Sequence, residues 1–254
     1  DTVIQGYSGL AASQTGIHDD QPKLIKQLIC DKVTAYTACQ AITAALLARE
    51  RGSGGQHLEL SMLDACIAFM FVDAADHEVI LDGDHSGPQA VAAYNTPFAF
   101  RDGFATVAVP DDEEFHGLAR AMGVDSSDPD LATVRDRVAH PDKTRSFHLQ
   151  VRENARQLTT TEAEAHLENN GVPFGIVRLV SEVAHDPQVV ANALFSEFDH
   201  PAAGRIRHHR SPTRFHGTPA EFREPAAPTL GQHSDEVAAE TGRGDQIKQL
   251  RSAG

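Results

Sequence analysis

Cysteine is scarce in this 254-residue sequence: Cys30, Cys39 and Cys66 are the only three. They form no Cys-x-x-Cys pair and are too few for a disulfide scaffold, so a reducing cytoplasm is the expected compartment. No apolar run is long enough to span a bilayer and no signal peptide is visible, so no membrane partner is expected. Positive charge is short as well. Twenty-two Lys and Arg stand against 36 Asp and Glu, a net charge of −14, which argues against nucleic acid as a partner. An anionic ligand stays possible, because a local site can be basic on an acidic protein. There is no initiator Met and no internal repeat. The remainder is ordinary for a soluble globular protein, 41% hydrophobic and 23% charged, with length for one large or two small domains.

The most informative stretch begins at Ile29-Cys30-Asp31. From Val33 to Arg51 there is no Pro or Gly, and good helix formers dominate. Ala38, Ala41, Ile42, Ala45 and Leu46 recur at three- and four-residue spacing, which predicts one buried face. Gly52 supplies a stop. Leu58, Leu60 and Met62 then alternate with Glu59 and Ser61, the pattern of a half-buried strand. Asp31 lies where the helix should begin; read from the residues alone, it is an N-cap.

Further along, residues 17–28 read as a loop and 62–81 as a second helix with Leu63, Ile67, Met70 and Phe71 on its apolar face. Asp76-His77-Glu78 with Asp82, Asp84 and His85 fits no zinc or EF-hand spacing, so no metal is expected. Residues 83–94 have linker composition. Two apolar runs around Arg101-Asp102-Gly103 predict a β-hairpin over 94–110. Helices are predicted over 113–122, 144–158 and from Thr160 to Asn169, then a strand over 172–177. From Phe195 the chain reads as strand and loop, with a turn at Gly204-Arg205-Ile206-Arg207 and a last helix from Ser234 to about Thr241. Cys30 reads as a buried structural thiol, since no motif sets a His beside it. Gly52-Ser53-Gly54-Gly55 follows its helix, whereas a phosphate cradle precedes one, so it reads as a plain turn. His208-His209 among Arg205, Arg207 and Arg210 makes a basic patch that reads as a solvated loop.

The run from Ile29 to Ala65, ICDKVTAYTACQAITAALLARERGSGGQHLELSMLDA, resembles the family III CoA-transferases, the CaiB/BaiF group that includes formyl-CoA transferase and α-methylacyl-CoA racemase. Asp1-Thr2-Val3-Ile4-Gln5 with Ser8-Gly9-Leu10 resembles an upstream signature of that family. Asn170-Gly171-Val172-Pro173-Phe174-Gly175, Ala184-His185-Asp186-Pro187-Gln188 and the run from Ala227 to Val237 match three more, in the family's order.

The resemblance implies an α/β fold: a Rossmann-like large domain, here lacking its N-terminal strands, plus a small α+β domain, in an interlocked dimer. On that basis residues 1–82 belong to the large domain, 83–94 to a linker, 95–180 to the small domain and 181–254 to a segment returning to the large one. The resemblance makes Asp31 the catalytic carboxylate, Asp1 a second acidic residue of the catalytic site, and Gln5 a substrate-binding residue that fits the transferase branch. The first turn's backbone N–H groups would stabilise an oxyanion. Coenzyme A and its thioesters enter as substrates, with no permanently bound cofactor. The partners are an acyl-CoA, a carboxylic acid, and a second copy or a chain supplying the missing N-terminal part. The alternatives are an acyl-CoA racemase of the same family, or a non-catalytic split chain.

Overall fold

The computed structural model describes residues 1–15, 21–74, 79, 81–82, 96–220 and 227–253. It is mixed helix and strand, and it divides into two compact units, Asp1–Val177 and Arg178–Gly254. The proposed linker at 83–94 lies outside the described residues. None of the helices among the described residues is long and apolar enough to cross a membrane.

The first unit opens with two short helices, α1 (Thr2–Tyr7) and α2 (Leu10–Ser13). Helix α3 spans Ile29–Ala48 and so begins two residues before Asp31, where the sequence sets its start. One π-helical turn, Arg49–Ser53, follows and ends at Gly52, whose φ of 92° suits glycine. The next segment corrects the expected strand. Leu58 to Ser61 lies outside any sheet, and Leu58 and Leu60 are exposed. Alternation supplies an apolar face, but a strand also needs a neighbour for its backbone groups. Among the described residues no strand pairs with this one.

Helix α4 (Met62–Ala74) packs on α3. Ala38, Ala41 and Ala45 are half-buried as predicted, but Ile42 and Leu46 are exposed. On α4 the buried residues are Ala65 and Cys66, whereas Ile67 and Phe71 of the predicted face are exposed. Both helices are apolar all round, so periodicity cannot choose a face. Leu10, Cys30 and Cys66 form a small buried cluster with Ile4, Ile25, Ile29, Met62 and Met70 against it.

The predicted hairpin forms from β1 (Phe98–Ala99) and β2 (Phe104–Val107), with Phe100 N–H donating to Gly103 O at 2.8 Å across the turn. Helix α5 (Asp112–Met122) starts on a reciprocal cap, in which Asp111 Oδ1 accepts from Glu114 N–H at 2.8 Å. Helices α6 (Val134–Ala139) and α7 (Pro141–Ala155) follow, and α6 has no counterpart in the sequence reading. Helix α8 (Thr160–Asn169) opens on a Thr159–Glu162 cap, and β3 (Phe174–Ile176) adds to β2 antiparallel. Phe115, Leu118, Phe147, Val151 and Leu167 centre the larger core. Gly117 is required there, since a Cβ would lie 2.6 Å from Asn170 O.

The second unit holds α9 (Val180–Val183), α10 (Pro187–Ala191), the hairpin β4 (Phe195–His200) and β5 (Gly204–His209), then α11 (Ser234–Glu240) and α12 (Gly244–Ser252). Gly204 to Arg207 is therefore strand, not turn, and α11 is not the last helix. Arg251 on α12 reaches Asp235 on α11 at 2.8 Å.

A titratable group packs half-buried against the larger core. His148 on α7 lies against Phe115 and Phe147. Burial, and then the charges of Arg152 and Arg137, push its pKa down to about 4. The folded form therefore favours neutral imidazole, while the unfolded chain protonates near its ordinary 6.5. The stabilisation is present above pH 6.5 and is lost as pH falls toward 4. Urea unfolding should show stability falling by on the order of 3 kcal/mol across that window, and His148→Phe should flatten the fall.

Candidate functional site

Asp31 does not cap its own helix. The N-cap is Leu28, which offers no side-chain oxygen, and Asp31 sits in the first turn. The capping acceptor comes from far upstream: Asp1 Oδ2 accepts from Asp31 N–H at 3.1 Å. A carboxylate at this end of a helix is favoured by the dipole and by the free N–H groups. Asp31's own carboxylate is thereby left to face outward. Its side chain is 46% exposed, whereas that of Asp1 is 2% exposed. The Asp1 backbone nitrogen lies 3.9 Å from Asp31 Oδ1.

Behind Asp1 stands Gln5, 1% exposed. Its Nε2 donates to Asp1 Oδ1 at 2.6 Å and to Ile25 O at 3.1 Å. Its Oε1 accepts from Ile25 N–H at 2.9 Å. One carboxamide thus ties α1 to Asp1 and to the loop that feeds α3. The three site residues predicted from sequence, Asp1, Gln5 and Asp31, are brought together. Ile25 is the member that sequence reasoning missed. It contributes only backbone atoms, and a backbone contact has no residue-type signal.

The expected oxyanion donors need correction. In the first turn of α3, Ile29 N–H bonds Gln27 O at 2.8 Å, Asp31 N–H bonds Asp1, and Lys32 N–H bonds Leu28 O at 3.3 Å. These groups are already spent.

Beneath Asp31, Cys30 and Cys66 are fully buried, with their sulfurs 2.9 Å apart. Burial first, and then the hydrogen bond to Cys66, push the Cys30 thiol up to about 11. It is protonated near neutrality and is no nucleophile. The basic patch on β5 is largely engaged within its own unit. Arg205 and Arg207 both pair with Glu197, while Arg210 donates to Ala193 O and Asn192 O. Of the acidic and histidine residues considered for a metal, Asp82 alone is described. No group of three or more metal-ligating side chains occurs among the described residues.

A half-exposed carboxylate, fixed through its backbone and open to solvent, is the arrangement of a group that can attack and then carry an acyl centre. Comparison with known proteins agrees with that class. The chain belongs to CoA-transferase family III, whose pattern it matches over residues 1–234. It is 30% identical over 251 residues to the succinate–glutarate CoA-transferase of Agrobacterium fabrum (strain C58), covering 94% of this chain and 60% of that protein. It is 26% identical over 270 residues to the human succinyl-CoA:glutarate CoA-transferase, covering 100% of this chain and 58% of that protein. Among solved structures, a CaiB/BaiF family protein from Brucella suis superposes with a TM-score of 0.71 at 26% identity, covering 94% of this chain and 62% of that one. The chain therefore spans about 60% of the length of these curated relatives.

The thiols offer a direct check. Iodoacetamide near neutral pH should label the exposed Cys39 and spare Cys30 and Cys66 until the protein is unfolded. Prompt labelling of Cys30 in the folded protein, read by peptide mass, would contradict its burial.

Proposed function

We propose that this chain carries the nucleophile of an enzyme that moves coenzyme A from an acyl-CoA to a carboxylic acid. The observation that carries the reading is the exposed Asp31 carboxylate beside a buried carboxylate that holds its backbone N–H. An Asp31 oxygen attacks the thioester carbonyl and expels CoA thiolate, leaving a mixed anhydride. The thiolate then attacks the aspartyl carbonyl, which releases the donor acid and leaves an aspartyl-CoA thioester. The acceptor carboxylate attacks that thioester, forms a new anhydride and frees the thiolate again. Attack of the thiolate on the new acyl carbonyl yields the product thioester and restores Asp31. Each step exchanges one acyl bond for another, so no redox partner or resident cofactor is needed. Asp1 supports Asp31 from beneath, and Gln5 holds Asp1 in turn.

Two relatives carry succinate or succinyl-CoA with glutarate in their names, so succinyl-CoA and glutarate are the first pair to assay. Wild-type enzyme given succinyl-CoA and quenched with hydroxylamine should carry the hydroxamate on Asp31, seen by peptide mass. Asp31→Asn should lose about 10³-fold or more in kcat. A racemase would give no adduct, and an undiminished Asp31→Asn would overturn the mechanism.

The same reading makes residues 1–82 part of a Rossmann-like large domain and 95–180 the small α+β domain, in an interlocked cytoplasmic dimer. It also assigns a cover to the bare helices. Tyr36, Ile42, Leu46 and Leu47 on α3, with Phe69 and Phe71 on α4, are exposed, and a helix apolar all round belongs in an interior. The polypeptide matching the rest of the relatives' length packs there. The 254-residue chain alone should bind a hydrophobic dye strongly, and co-expression with the upstream portion should give a complex that does not. A monodisperse chain that ignores both dye and upstream portion would sink this assignment.

A further inference from the structure

We infer that Gln5 is a positioning residue, which holds Asp31 in place through the Asp1 carboxylate and the Ile25 backbone and does not touch substrate. The inference rests on the reading of Asp31 as nucleophile. A carboxamide has two N–H donors and one carbonyl. Both donors of Gln5 are used, on Asp1 Oδ1 at 2.6 Å and on Ile25 O at 3.1 Å, and the carbonyl takes Ile25 N–H at 2.9 Å. At 1% exposure it has no donor left and no open path to a ligand.

Its bonds converge on Asp31 by two routes. The first runs through Asp1, whose other oxygen holds Asp31 N–H. The second runs along the chain, because Ile25 anchors the segment that leads through Leu28 into α3. Side-chain length alone does not explain this arrangement. Glu would fill the same space, but its carboxylate would face that of Asp1 across a hydrogen-bond distance, where both cannot stay ionised. Only a neutral donor of this length holds a buried anion independently of pH.

Gln5→Glu is therefore the informative variant. A protonated Glu can still donate to Asp1, while an ionised one repels it. Other titratable groups on the packed elements are Asp31 and Lys32 on α3, Lys23 and Lys26 in the loop, Tyr7 on α1, Asp64 on α4, and the Cys30 and Cys66 thiols. All of them are also present in the wild type, so the difference between the two pH profiles isolates position 5. Steady-state kinetics with succinyl-CoA and glutarate, on whichever assembly of the intact enzyme turns over, should show three things. The kcat of Gln5→Glu should fall about 10²-fold at alkaline pH, the scale of a misplaced reacting group. It should recover toward wild type as pH is lowered. KM for succinyl-CoA should stay within about threefold throughout. Gln5→Met should be slow at every pH. A raised KM with unchanged kcat would show direct substrate contact and overturn the inference, as would a wild-type profile for Gln5→Glu.

Crystals of wild-type enzyme soaked in acyl-CoA provide a check that no variant's folding can spoil. Gln5 should remain on Asp1 and Ile25, and an amide turned onto the thioester would refute its role. Failure of the parent reading looks different, because Asp31→Asn would then stay active whatever Gln5 does.

Discussion

A buried carboxylate bonded to the start of a helix fixes the geometry of this site. The Asp1 side chain is almost wholly removed from water, and an ion in that position is costly unless its oxygens are met. Gln5 meets one oxygen and Asp31 N–H the other. Bonds to a charged group are the stronger kind, contributing roughly 1.5–3 kcal/mol each. Losing either would also leave a desolvated anion behind. The three segments concerned, α1, the loop through Ile25 and the first turn of α3, are held by this one network. The small apolar cluster of Leu10, Cys30 and Cys66 beneath it adds packing but no direction. Direction comes from the hydrogen bonds.

That division of labour sets this helix start apart from an ordinary one. Had Asp31 capped α3 itself, its oxygens would be turned back onto its own backbone. With the cap supplied by Asp1, the Asp31 oxygens are released to the surface while its backbone stays fixed. Burial holds the neighbouring Cys30 thiol protonated near neutrality, and Cys66 is buried with it.

Local signals in the residues carried the elements whose causes are local. The Asp111–Glu114 and Thr159–Glu162 caps mark α5 and α8 within a few residues, and Asp102-Gly103 turns the β1–β2 hairpin. Elements that depend on a distant partner escaped. Leu58 to Ser61 has a strand's alternation but no described strand beside it, and α3 and α4, apolar all round, hid which side faces inward. Gly204 to Arg207 carries turn residues, yet β4 draws it into a ladder from Phe195↔His209 to His200↔Gly204. The site shows the same limit. Asp1, Gln5 and Asp31 were singled out only through the family pattern. Their bonds span 4, 20 and 30 positions, and nothing near Asp31 in the chain announces a cap supplied by the first residue.

The spent donors of α3 constrain the chemistry further. Attack on a thioester puts negative charge on its carbonyl oxygen, and that charge needs donors already in position. Ile29, Asp31 and Lys32 have committed their N–H groups, and the remaining first-turn residue, Cys30, is wholly buried. On the proposed mechanism the three committed groups are closed to the oxyanion, and its donors come from another segment. A carboxylate proposed as nucleophile, with no oxyanion donors of its own, needs partners from elsewhere, just as the exposed apolar residues of α3 and α4 need a cover.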